Sequence, residues 1–104
     1  MPVIVVLSTF PTEDKAAEVA RVLVEERLAA CVNFVPRIRS IYRWKEDICD
    51  EAETLAVIKT TDERLDALKS RILALHPYEL PEVMALPVEA GHAPYLAWIE
   101  AMTL

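Results

Sequence analysis

The sequence predicts an α+β domain built on one antiparallel sheet with two helices on a single face. Three observations point there. Stretches rich in β-branched and apolar residues alternate with helix-period stretches in the order strand, helix, strand, strand, helix, strand. Prolines at 11, 36 and 77 punctuate those stretches at their ends or bends. At 104 residues, the chain has enough surface to bury one core and too little for a second, so it reads as a single domain over residues 1–104.

Val3 to Thr9 is β-branched and apolar, the composition of a buried strand. Pro11 breaks it. Thr12 is placed to cap a helix whose first turn carries Glu13 and Asp14, where negative charge suits the helix dipole. Ala16, Val19, Ala20, Val22 and Leu23 supply its apolar face, and it is expected to end near Arg27.

Ala30 to Lys45 is the second extended stretch, bent at Pro36. Past the bend, Ile38, Ser40, Tyr42 and Trp44 share one face; Arg37, Arg39, Ile41, Arg43 and Lys45 share the other. Glu46-Asp47 reads as the turn, which sets Arg43 opposite Asp50 as an ion pair on a third strand running from Cys49 to Thr60. Thr60 and Glu63 form a capping-box pattern for the next helix. Leu65, Leu68, Ile72 and Leu75 give that helix its apolar stripe, and Pro77 stops it. Val83 to Val88 is the fourth strand. Gly91 and Pro94 precede a short C-terminal helix bearing Tyr95, Trp98, Ile99 and Met102.

The order βαββαβ plus a helix is the split βαβ, ferredoxin-like arrangement. Its second and third strands are far longer than the usual 5–6 residues. So long a hairpin overhangs a domain of this size, and its tip carries Ile41, Tyr42 and Trp44. Self-association is the expected remedy for a sticky, solvated arm.

Lys and Arg number 11 against 17 Asp and Glu, a net charge of −6, which disfavours a nucleic-acid partner and mildly favours cations. No apolar run approaches the ~20 residues needed to cross a bilayer, and no signal peptide is evident. Two cysteines without a CxxC pattern suit a reducing compartment, so cytoplasm is expected. Neither GxSxG nor HExxH is present, and one glycine leaves no glycine-rich phosphate loop; no enzyme is expected.

Ala29 to Pro36, Ile38 to Lys45, Val57 to Thr60, Leu75 to Glu82, Ala85 to Val88 and Tyr95 to Ile99 together resemble the CutA family of divalent-cation tolerance proteins. The resemblance runs from about Val3 to the C-terminus. It implies a ferredoxin-like subunit and a tight homotrimer in which long hairpins pair between neighbours. It also implies a likeness to the PII signalling trimers and a link to tolerance of copper and other divalent cations. Arg37 and Glu46 stand where the family often has glycine. Copper binding in some relatives is ascribed to a cysteine at position 8 and histidines at 75 and 76; here these are Ser8, Leu75 and His76.

His76 with Glu79 and Glu82 is the candidate metal set; alternatively His76 caps the helix C-terminus. Repetition about a threefold axis would let one ligand per chain complete a site. Tyr42, Trp44, Lys59 and Tyr78, with Glu82, are candidates for a cleft between subunits, or Tyr42 and Trp44 are interface anchors. Cys31 reads as packing. Cys49 is expected nearer the surface, as is His92. Glu46, Asp47, Asp50, Glu51 and Glu53 read as a charged hairpin tip with Arg39, Arg43 and Lys45 as partners. The expected function is a trimeric, metal-responsive cation-tolerance protein whose cation, copper in type, is not required for folding. The alternatives are a PII-like sensor of an unknown small ligand, and a ligand-free scaffold.

Overall fold

The computed structural model describes residues 2–104. Its elements are β1 (Val3–Phe10), α1 (Glu13–Glu25), β2 (Cys31–Trp44), β3 (Asp47–Thr61), a 3-10 turn (Asp62–Arg64), α2 (Leu65–Leu75), β4 (Met84–Pro87) and α3 (Ala93–Met102). The sheet runs β2-β3-β1-β4 with every neighbour antiparallel, which is the ferredoxin-like order.

Local chemistry sets the boundaries. Thr12 caps α1 as expected, its hydroxyl accepting the Lys15 N–H at 3.1 Å. At the other end, Leu28 N–H reaches the Leu23 carbonyl at 2.9 Å and Arg27 N–H the Val24 carbonyl at 3.1 Å, the Schellman pattern. Arg27 takes φ 60°, a conformation glycine adopts at no steric cost. The capping box at Thr60 does not form: β3 continues to Thr61, and the buried Thr60 hydroxyl donates to the Leu28 carbonyl at 2.7 Å. That bond ties the loop after α1 to the sheet. The fourth strand is shorter than expected, four residues rather than six.

The hairpin turn also differs. Trp44 pairs with Asp47, so the turn is Lys45-Glu46, with Lys45 at φ 56°. Moving the turn by one residue shifts every pair by two. Arg43 therefore faces Ile48, and Asp50 is held instead by Arg39 through two bonds of 2.8 and 2.7 Å. The expected bend is present as a bulge between Val35 and Ile38, with Arg37 at φ 57°.

The sheet has two unlike faces. Ile4, Val6 and Phe10 alternate inward with Ala56 and Ile58, and Ala16, Val19 and Leu23 of α1 and Leu68 and Ile72 of α2 close over them. The opposite face carries Val5, Leu7, Leu55 and Val57, all half-buried. Among the described residues, one end of it is covered, where Ile99 of α3 packs with Val3 and Ala30. Val35, Met84, Leu86, Tyr95 and Trp98 remain exposed around it. The hairpin strands, 14 and 15 residues at about 3.3 Å each, account for the 45 Å long axis of a molecule otherwise 25 × 21 Å.

Candidate functional site

Alternation along the hairpin puts Ile38, Ser40, Tyr42 and Trp44 on one face with Asp47, Cys49, Glu51 and Glu53. It is the same sheet face that carries Leu55, Val57 and Lys59, because β3 runs through without a break. The candidate site is therefore an apolar sheet face with a polar group at each end.

At the hairpin base the 76–83 loop folds back onto β3. The Tyr78 hydroxyl donates to Glu53 Oε2 at 2.7 Å, and the Tyr42 hydroxyl donates to Glu51 Oε1 at 2.9 Å. Glu53 is only 9% exposed. Burial and then this hydrogen bond raise the Tyr78 phenol well above its ordinary range. The bond to Glu51, with burial behind it, pushes Tyr42 up to about 12. Glu82 joins the group: burial, then the charge of Glu53, raises its carboxyl above the usual value.

His76 anchors the loop. Its ring is 8% exposed, stacked on Phe10 with centroids 4.4 Å apart and tilted against Tyr78 at 4.8 Å. Nε2 lies 2.8 Å from the Thr9 carbonyl oxygen, and Nδ1 accepts the Tyr78 N–H at 3.1 Å. Two acceptors cannot share a bond, so the Nε2–H tautomer is fixed. Burial lowers the His76 pKa, the Thr9 bond opposing it. The backbone of His76 does cap α2, its N–H reaching the Ile72 carbonyl at 2.8 Å. The ring is a neutral wedge and not a positive partner for the dipole.

At the far end, Lys59 Nζ donates to Asn33 Oδ1 at 2.6 Å and lies 5.7 Å from the centre of the Tyr95 ring, which stacks on Trp98 at 5.6 Å. Cys31, half-buried beside it, contacts Asn33.

Of the residues singled out by sequence, Tyr78 and Glu82 lie at Glu53, and Tyr42 reaches Glu51 from nearer the hairpin tip. Lys59 shares their face but sits six residues along β3, roughly 20 Å away. Trp44 is at the hairpin tip beside Lys45. Glu79 is exposed on the loop. Among the described residues, no three His, Cys, Asp or Glu side chains converge as metal ligands. The acidic run is divided rather than clustered at the tip: Asp50 turns to the other face, while Glu51 and Glu53 face the tyrosines. Sequence reasoning counted Glu53 with the charged hairpin tip, whereas it lies buried at the hairpin base; a carboxylate in phase with Leu55 and Val57 is the signal that finds it.

A ferredoxin-like sheet with an overlong hairpin and one largely bare apolar face defines the class of protein. The sequence pattern of the family described as CutA1 divalent ion tolerance protein matches residues 4–102. A curated relative, the divalent-cation tolerance protein CutA of Thermus thermophilus, is 50% identical over 99 residues, covering 95% of this chain and 96% of that one. Protein CutA of Mus musculus is also 50% identical, over 95 residues, but the chain spans only 54% of its length. A solved structure of the divalent cation tolerance protein from Thermus thermophilus, 48% identical, covers 97% of this chain and 98% of its own with a TM-score of 0.94. The chain belongs to the CutA1 divalent ion tolerance family.

Proposed function

We propose that this chain acts in divalent-cation tolerance as a homotrimer, responding to metal without catalysing a reaction. The observation that carries the proposal is the uncovered sheet face. Val5, Leu7, Leu55 and Val57 form its centre, with Val35, Met84, Leu86, Tyr95 and Trp98 exposed around them. A contiguous apolar surface of this kind is costly in water and is what a sister chain covers. The number three rests on the family resemblance; the need for a cover rests on the geometry.

The cation contact is proposed to be shared between copies, with Glu79 on the exposed side of the 76–83 loop and the half-buried Glu82 beside Glu53. No cation is required for folding in this reading, and nucleic acid is not proposed as a partner. No helix among the described residues is long and apolar enough to cross a membrane. Cytoplasm is proposed because both thiols are free.

One observation favours a second reading. Tyr78 and Glu82 lie at the hairpin base with Tyr42 further out along the hairpin, on the face a neighbour would share, which suits a small ligand held between subunits. A thermal-shift screen of copper, zinc and nucleotides separates the two, since a ligand of the folded state raises the midpoint. Stabilisation by metals alone supports cation response. Nucleotides alone support the sensor, and no response leaves an interaction scaffold.

A further inference from the structure

We infer that this chain has no copper centre at positions 8, 75 and 76, and that His76 is instead the peg fixing the 76–83 loop to β1. A copper ion needs donor lone pairs, preferably thiolate or imidazole. None of the three positions offers a thiolate or an uncommitted imidazole nitrogen. Ser8 supplies a hydroxyl in place of a thiolate, is fully buried, and its Oγ has no hydrogen-bond partner among the described residues. Leu75 is hydrocarbon packed against the core. His76 is an imidazole, but both nitrogens are spent: Nε2–H on the Thr9 carbonyl, and the Nδ1 lone pair on the Tyr78 N–H.

Freeing Nδ1 means breaking the Tyr78 N–H bond, unstacking the ring from Phe10 and loosening the segment that delivers Tyr78 to Glu53. The ring's contacts with Thr9, Tyr78 and Phe10 give the imidazole a structural use without metal partners. Beyond Leu7, β4 no longer pairs with β1. The Thr9 carbonyl is left without a strand on that side, and the His76 ring N–H takes the strand's place. The ring thus joins the end of α2, the edge of β1 and the loop in one contact.

Two measurements test this. Copper(II) is titrated by calorimetry into wild type and His76→Gln, and the ring nitrogens of wild type are followed by 15N NMR as zinc is added to equimolar concentration. The expected results are equal copper titrations, a midpoint several degrees lower in His76→Gln, and an Nε2–H tautomer unmoved by zinc. A tenfold or greater loss of copper affinity in His76→Gln, or a zinc-induced shift of Nδ1, overturns the inference. The NMR arm needs only wild type and decides the matter even where the variant does not fold. Equal copper binding by both proteins leaves the cation-tolerance proposal intact. Absence of binding in both removes copper from that proposal but leaves the inference standing.

Discussion

The Tyr78 hydroxyl meets the Glu53 carboxylate at 2.7 Å, joining the loop after α2 to the base of the hairpin. Glu53 is buried, so removing the donor strands a charge. Tyr78→Phe is expected to cost about 2 kcal/mol, the range for a hydrogen bond to a charged group. Urea denaturation of the single variants and of the Tyr78→Phe/Glu53→Gln pair checks it. The double variant is expected to cost less than the sum of the singles.

Glu82 and His76 push stability in opposite directions with pH. The Glu82 carboxyl is raised, so the folded state holds its proton more tightly and stability grows as pH falls through that raised value toward the ordinary one at 4.5. His76 is lowered, so its contribution is complete above the unfolded value near 6.5 and fades as pH falls below it. Glu82→Gln is expected to raise the melting midpoint at pH 7 and to lose that advantage near pH 4. An equal gain at both pH values contradicts the assignment.

Ser8 carries a fully buried hydroxyl oxygen with no partner among the described residues. Leaving such a group unmade costs about 1–3 kcal/mol, offset here by the small void its removal leaves. Ser8→Ala is therefore expected to stabilise the fold by about 1 kcal/mol. Chemical denaturation reads the change directly, and a destabilised variant counts against it.

Arg27 holds the left-handed position of the α1 Schellman turn at φ 60°. A side chain there is strained by about 1–2 kcal/mol, while glycine adds entropy to the unfolded chain worth about 0.4–1. Arg27→Gly is expected to gain about 0.5–1 kcal/mol in the same assay, the difference of those opposing effects.

Much of the fold can be read from residues whose effects are local. Thr12 announces α1, Pro77 ends α2, and the leucine stripe from Leu65 to Leu75 places two buried side chains, Leu68 and Ile72. The register cannot, because Lys45-Glu46 and Glu46-Asp47 are equally poor turn sequences and nothing local separates them. Thr60 has the spacing of a helix cap, yet a tertiary acceptor, the Leu28 carbonyl, claims its hydroxyl. The first strand conceals most. Val3, Ile4, Val5, Val6 and Leu7 are apolar on both faces, so sequence indicates burial without saying that one face lacks a cover within the chain. His76 is visible as chemistry, but its two partners are backbone groups of Thr9 and Tyr78, which side-chain spacing cannot reveal.

Sedimentation equilibrium at micromolar concentration tests the bare sheet face most directly. The protomer mass is 11.7 kDa, and wild type is expected to sediment at about three times that value. Val57→Asp, which sets a charge in the centre of the face, is expected to shift the population to protomers. A folded wild-type protomer at 11.7 kDa would contradict the account.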